Sequence, residues 1–586
     1  MESVIWNLRT LDDFVLGAPL VQLVMFVLVV FWDYPLLVVY FLFKQVVSFA
    51  KPDASPITGE PLPVLVIIPS MLRKRDELTS MMATVRSIAN NGYPGPLLIV
   101  LSIDGTNDSP PLYAALQRWA MRQWFNSECT LRVTGTAVRR SKPMAIHHGM
   151  EYVQKMVANG TYPAFPPVYV STDADADLGP NALSHIVGRL QQRNPITGAP
   201  TRVVAGALHV RGNEFWRGWR RFFTIPGQLN LQVAREYYVS NVSRHNIRWL
   251  PLSGIPGAFY CTWSGLFLAI APFMGYMQTL QTRHWLKWWF GVAPPKFSES
   301  AIPPHPERIA GDTDDTVTAY IAMIARYEDG AFTLDPPRTP LHAFIAMLRG
   351  LTVERAIQYE PRARVFTTSP TTIRSLMKQR KRWNTARIEV TGRLWRALGY
   401  HWTLGFTAAC VMLFMARSVL FGVIAYLAIP VALVHEYLLT GFILAYLTHV
   451  FISGLLTVLA LLVGNELKYW RLLLAVPLTP VYGFWFKWLP GAWGWVSDVL
   501  LFGNRTGFAP EATLIKGGSV RIALLFRIRR FFSLLVRALT HGDVPLGSFW
   551  FGWGETPWTP SGYEGFTSNK KRRSILPPFK RSPRRG

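Results

Sequence analysis

Cysteine is almost missing from this chain: Cys129, Cys261 and Cys410 are the only three in 586 residues, far apart and without paired spacing. That excludes a disulfide framework and a cysteine zinc site, and it fits a reduced compartment. Acidic residues are also few, 35 Asp and Glu against 61 Lys and Arg, and charged residues of both signs make up only 16% of the chain. With 50% apolar residues and a formal net charge of +26, the apolar and basic residues must be segregated, as in a membrane protein. A basic excess alone would also suit nucleic acid or an anionic substrate. No nucleic-acid recognition motif is visible, and the basic clusters lie beside apolar stretches, so no nucleic-acid partner is expected. No internal repeat is visible either.

What is present divides into four parts. Residues 1–50 hold an apolar stretch from Phe14 to Val47, broken at Trp32-Asp33-Tyr34-Pro35. It is long enough for one tilted span or two short ones, and it lacks the basic start and cleavage site of a signal peptide. Residues 51–395 open with a Pro-, Ser- and Gly-containing linker, Lys51 to Pro63. Short β-branched runs then alternate with amphipathic segments, which predicts an α/β domain with a mostly parallel sheet. Its candidate buried strands are Val64–Ile68, Leu98–Ser102 and Val168–Ser171. Residues 396–503 are again apolar, over about 404–434, 437–463 and 472–495, and four spans fit best. The tail, 504–586, is basic and includes 519–539, whose Leu and Phe beside Arg suit an interfacial helix.

In sheets of this kind ligands bind at the carboxyl ends of the strands, so the residues after each run matter most. Asp104 follows the second run, and Asp173-Ala-Asp175-Ala-Asp177 follows the third. Carboxylates one residue apart can share a hard divalent cation that also takes diphosphate oxygens, although such a run equally suits a solvated loop or a helix cap. A second cluster, Asp312-Thr-Asp314-Asp315, precedes a helix-like stretch; it could furnish a general base, or simply an acidic first turn. A third element is Gln379-Arg-Lys-Arg382-Trp383. Arginine forks onto phosphate and an indole offers a flat face to a sugar ring, while a juxtamembrane anchor has the same composition.

Their order, followed by apolar spans, resembles the processive glycosyltransferase family 2 enzymes, the group containing the cellulose, chitin and hyaluronan synthases. The likeness runs from about Val64 into the late apolar stretches. It extends to Arg140-Ser-Lys142-Pro and to Ser253-Gly254-Ile-Pro-Gly257-Ala-Phe-Tyr260. The resemblance implies an α/β glycosyltransferase-A-like (Rossmann-like) cytoplasmic domain inserted between N-terminal and C-terminal transmembrane helices. It implies a multi-pass protein of a bacterial inner or plasma membrane. The implied reaction is inverting, processive transfer from a nucleotide sugar, a UDP-sugar by family inference, to a growing β-linked exopolysaccharide, coupled to export. The alternative is single-sugar transfer to a polyprenyl-phosphate or other lipid acceptor.

Carried over by position, Asp104, Lys142, Asp173, Gln379 and Arg382 would bind the donor, and Asp173 and Asp175 would hold Mg2+ or Mn2+. Asp315, with Asp314 beside it, would be the catalytic base. Gly254, Gly257, Tyr260 and Trp383 would face the acceptor. The implied partners are the nucleotide-sugar donor, the growing polysaccharide and the lipid bilayer, with room for an accessory export or regulatory subunit. The chain departs from the family pattern at Pro69-Ser70-Met71-Leu72-Arg73 after the first strand, at Asp314-Asp315 where the family has Glu-Asp, and in about thirty extra residues, 328–358, containing an amphipathic stretch at Leu341–Leu348.

Overall fold

The computed structural model describes residues 60–125, 128–137, 139, 142–193, 198–211, 224–242, 246–247, 255–269, 314–328, 331–334, 355–380, 383, 436–463, 467–483 and 486. The first strand, β1 (Val64–Ser70), consists of a run of Val, Leu and Ile with no polar alternation, and residues 64–68 are wholly buried. Such a run suits a strand covered on both faces. Its neighbours are β2 (Leu97–Asp104) and β4 (Val168–Thr172), both parallel to it, and β3 (Cys129–Thr136) continues the parallel set at the edge. The three strands expected from the sequence lie within β1, β2 and β4.

Beyond β4 the sheet changes character. β8 (Phe259–Trp263) runs antiparallel between β4 and β6 (Val203–Val210). β6 pairs in parallel with β11 (Arg355–Thr367), which also takes β5 (Asp177–Leu178) and β7 (Asn246–Ile247) antiparallel. Nine strands therefore form one mixed sheet, of which half the pairings are antiparallel, where the sequence pattern predicts a mostly parallel one. Two of the four antiparallel pairings come from β8, a late strand inserted against the direction of its neighbours, and two from the short strands β5 and β7 on β11. A separate hairpin, β9 (Ala325–Glu328) with β10 (Ala331–Leu334), straddles the start of the extra segment at 328; the Leu341–Leu348 stretch of that segment lies outside the described residues.

Period-two alternation divides the core between the two faces of the sheet. Val64, Val66 and Ile68 point to the face covered by α1 (Arg75–Ala89), α2 (Pro110–Met121), α4 (Ala182–Gln191) and α5 (Ile225–Val242). Leu65 and Ile67 point to the other, covered by α3 (Lys142–Ala158), α6 (Ser264–Leu268) and α7 (Asp314–Ile324). Each such aliphatic side chain contributes about 1.5–3 kcal/mol on burial. α1 starts where Glu77 reaches back to accept the backbone N–H groups of Arg73 (2.6 Å) and Lys74 (3.0 Å), donors that the first turn cannot satisfy itself. α4 is fixed to β11 by an ion pair between Arg189 and Glu360 (3.1 Å), both side chains 4% exposed.

α8 (Glu436–Val463) packs against α5 and a 3-10 stretch, Leu467–Leu478. The buried Arg235 of α5 donates to Thr457 Oγ1 (2.8 Å) and to the Ser453 carbonyl (2.9 Å). Among the described residues no helix is long and apolar enough to cross a membrane. Where it is described, the expected span at 472–495 begins within a 3-10 stretch, Leu467–Leu478, that passes into a short α-helical turn, Thr479–Val481. The segments 14–47, 404–434 and 519–539 lie outside the described residues.

Candidate active site

β2 ends in Asp104, whose carboxylate is buried and accepts a hydrogen bond from Thr136 Oγ1 at 3.4 Å, one strand away. Gly105 follows with φ +87°, a left-handed turn that a side chain would strain, and a Cβ there would also lie 2.8 Å from Arg139 Cβ. The chain can therefore turn sharply off the strand end and keep Asp104 at the carboxyl edge.

β4 ends at Thr172, and Asp173 follows at once. Lys142, the first residue of α3, donates to Asp173 Oδ1 at 2.9 Å and to the Gly257 carbonyl at 3.5 Å. Gly257 lies in the loop leading into β8, and a Cβ built on it would stand 2.9 Å from Asp315 Oδ2. Asp315 is the second residue of α7; its Oδ1 accepts from the Thr316 backbone N–H (2.6 Å) and hydroxyl (3.3 Å). Lys142 thus joins Asp173 to the Gly257 carbonyl, and Asp315 stands close against Gly257, so four residues from four separate segments come together.

Asp175 lies beside this group. Burial pushes its carboxyl above the usual range, and the neighbouring charge of Asp173 adds to the effect. Thr368 holds it, donating to Oδ2 at 3.0 Å from just beyond the end of β11. Asp177, the third acid of the run, belongs to β5 and is paired with Arg211. The pair at the strand end is therefore Asp173 and Asp175, two carboxylates whose mutual repulsion a cation would relieve. Among the described residues no group of three or more His, Cys, Asp or Glu side chains gathers into a metal cage. A cation held here would take its remaining ligands from water and substrate, the habit of Mg2+.

Gln379 and Arg380 lie in a helical segment described over 373–380, and Trp383, also helical, is half-buried. Its indole lies under the Arg380 guanidinium, 4.5 Å from ring centroid to Cζ, and 6.5 Å from the Tyr237 ring. This segment begins just past Thr368, so β11 connects it directly to Asp175.

Tyr260, expected on the acceptor side, is instead fully buried in β8 and edge-on to Tyr169 at 6.2 Å. Gly257 precedes the strand and reaches the site; three residues later the chain has entered the sheet and turned Tyr260 to the core face. Gly254, Arg382 and the side chain of Asp314 lie outside the described residues. Thr368 and Thr136 were not expected in or around the site, and Arg380 was expected only as part of the Gln379–Trp383 run. Thr368 sits in the run Thr367-Thr-Ser-Pro370 ahead of the Gln379 segment, the one signal that could have found it.

The chain thus contains an α/β domain with an acidic cluster and one lysine at the carboxyl edge of its sheet. No family model matches it, and no curated protein matches. Among solved structures it is similar to a mannosyltransferase, PcManGT from Pyrobaculum calidifontis, in complex with GDP-Man and Mn2+, with 14% identity over 77% of this chain and 94% of that one and a TM-score of 0.34. It is also similar to M. tuberculosis glucosyl-3-phosphoglycerate synthase (13% identity, 60% of this chain and 84% of that one, TM-score 0.23) and to GalNAc-T7 with UDP, GalNAc and Mn2+ (19%, 26% and 24%, TM-score 0.20).

Proposed function

We propose that this chain is a glycosyltransferase that takes a sugar from a nucleotide-sugar donor, with Asp315 as the catalytic base. The observation that carries the reading is the gathering of Asp173, Lys142, Gly257 and Asp315 at the carboxyl edge of an α/β sheet, which supports roles for a carboxylate suited to a cation, an ammonium suited to phosphate and a carboxylate suited to proton transfer.

In this mechanism Asp104 binds the nucleotide and Lys142 turns from Asp173 to the departing diphosphate, whose growing charge it neutralises. A divalent cation, Mg2+ or Mn2+ held by Asp173 and Asp175, would supply further neutralisation of that diphosphate. Asp315 Oδ1 is anchored by Thr316, which orients Oδ2 over Gly257. The carboxylate takes the proton of an acceptor hydroxyl as that oxygen bonds to the anomeric carbon and the bond to the diphosphate breaks. Attack from the opposite face inverts the centre, giving a β-linkage from an α-linked donor, and no covalent enzyme intermediate is required.

The finer reading is a processive polysaccharide synthase at a membrane, with Trp383 stacking on the acceptor sugar. Its support is the motif order in the sequence and the polarity of α8. Leu447, Phe451, Leu455, Val458 and Leu462 recur along one face of that helix and are 38–71% exposed, whereas Ser453 and Thr457 are buried against α5. A helix that keeps an apolar outer face while it buries Ser453 and Thr457 beside Ala460 and Leu461 suits a surrounding of lipid acyl chains. The test is sugar transfer by the full chain in lipid nanodiscs from a panel of nucleotide sugars, with products sized on a gel. A long polymer from one donor supports the processive reading; a one-sugar lipid product replaces it with single transfer; no transfer from any donor overturns both.

A further inference from the structure

Outside the carboxylate cluster, a charged group is buried where α5 meets the segment carrying Gln379 and Trp383. Arg380, 3% exposed, makes a two-pronged ion pair with Glu236 of α5, Nη1 to Oε1 at 3.2 Å and Nη2 to Oε2 at 2.7 Å. Tyr482, from beyond the 3-10 stretch, accepts from Arg380 Nη2 at 2.8 Å and donates to Glu236 Oε2 at 2.9 Å. The fork fixes the guanidinium in both position and plane, which a single hydrogen bond would not do. That same guanidinium lies 4.5 Å from the Trp383 ring centroid, and Tyr237, the next residue along α5, has its ring 6.5 Å away at 31°. Adjacent residues of one helix therefore reach the indole, Tyr237 with its ring and Glu236 through Arg380.

We propose that Glu236 is a positioning residue for the acceptor side of the site: by fixing Arg380 it sets the plane of the Trp383 indole on which the acceptor sugar stacks. The inference rests on the glycosyltransferase reading above and deepens it. Burying a carboxylate with an arginine is poor value for stability alone, since apolar residues of equal volume do as well. A paired charge that orients a planar ring gives such a pair a function, and it predicts that Glu236 affects the acceptor and not the donor.

The test uses the full chain in nanodiscs with Glu236→Gln, Trp383→Phe and the double variant. Glu236→Gln keeps the size and one accepting oxygen but loses the charge. Glu236→Asp keeps the charge and serves as the conservative rescue. Three quantities are read: KM for a soluble oligosaccharide acceptor, the Kd of the nucleotide-sugar donor, and oxidation of Trp383 in hydroxyl-radical footprinting by mass spectrometry. Glu236→Gln is expected to raise the acceptor KM roughly tenfold, in line with loss of one well-placed ring contact. Donor Kd stays unchanged, Trp383 oxidation increases severalfold, and Glu236→Asp recovers part of both effects. In the Trp383→Phe background Glu236→Gln should add little, because both act on one interaction. Parallel weakening of donor and acceptor, or additive effects in the double variant, overturns the positioning role, as does an unchanged Trp383 footprint in an active protein. A wild-type protein that transfers no sugar, with its footprint still responding to Glu236, overturns the acceptor role and the glycosyltransferase reading together.

Discussion

Gly257→Ala is a small change with a large expected effect, because the new methyl group would meet the proposed base. The added Cβ would stand 2.9 Å from Asp315 Oδ2 and 3.3 Å from its Cγ. Atoms in ordinary contact stand about 3.5 Å apart, so the carboxylate must retreat by roughly half an ångström. It cannot do so freely, since Oδ1 is held by the Thr316 N–H at 2.6 Å and by the Thr316 hydroxyl. Gly257 is not in the left-handed region, so alanine meets no backbone strain there. A misplacement of about 1 Å in a catalytic constellation can cost a hundredfold in rate, so half of that should cost roughly tenfold, or about 1.4 kcal/mol in the barrier. The assay is kcat for sugar transfer alongside donor Kd and the thermal midpoint. The expected result is a roughly tenfold fall in kcat with donor affinity and midpoint nearly unchanged. An unaltered kcat would refute the placement of Asp315 as base; an unfolded protein would refute the claim that the methyl group is accommodated by the carboxylate.

Two further predictions concern stability. Because burial and Asp173 raise the Asp175 carboxyl above its ordinary range, ionising it costs the folded state. Stability from the protonated form is complete below the ordinary carboxylate range and is lost as pH rises through the raised value. Asp175→Asn should therefore raise the thermal midpoint at neutral pH, with the gain vanishing in acid, and Mg2+ should stabilise the wild type more than the variant; a variant less stable at neutral pH would contradict this. Glu360→Gln removes the charge that pairs with Arg189, both side chains 4% exposed. Leaving that guanidinium buried without its partner should cost about 3 kcal/mol, read as a clear fall in the thermal midpoint, and an unchanged midpoint would show that the pair is not buried as described.

How far the sequence could be read depends on which residues carried the information. β1, β2 and β4 were legible because a run such as Val64-Leu-Val-Ile-Ile68, bounded by proline on both sides, has no other use than a doubly covered strand. Asp104, Asp173 and Asp175 were legible because acids directly after such runs fall at the carboxyl edge. The antiparallel insertion of β8 was not, since pairing direction leaves no mark in periodicity. Tyr260 was misplaced for a related reason: the loop motif passes into a strand within three residues, and period-two alternation then decides which side chains face the core. Glu236 was out of reach altogether, lying 144 residues from Arg380 in a helix with no strong polar face; only the fold brings the two together.

The account depends on Asp315 more than on any other residue, and Asp315→Asn tests it most directly. The substitution keeps the size and hydrogen-bonding reach of the side chain but removes its ability to take a proton. In the full chain in nanodiscs, with Mg2+ or Mn2+ and the donor that supports transfer, we predict that the variant binds the nucleotide sugar as the wild type does and transfers sugar at least a hundredfold more slowly, within the range general-base catalysis supplies, about 10²–10⁴. Equal transfer by both proteins would contradict the assignment of the base, and with it the mechanism proposed for this site.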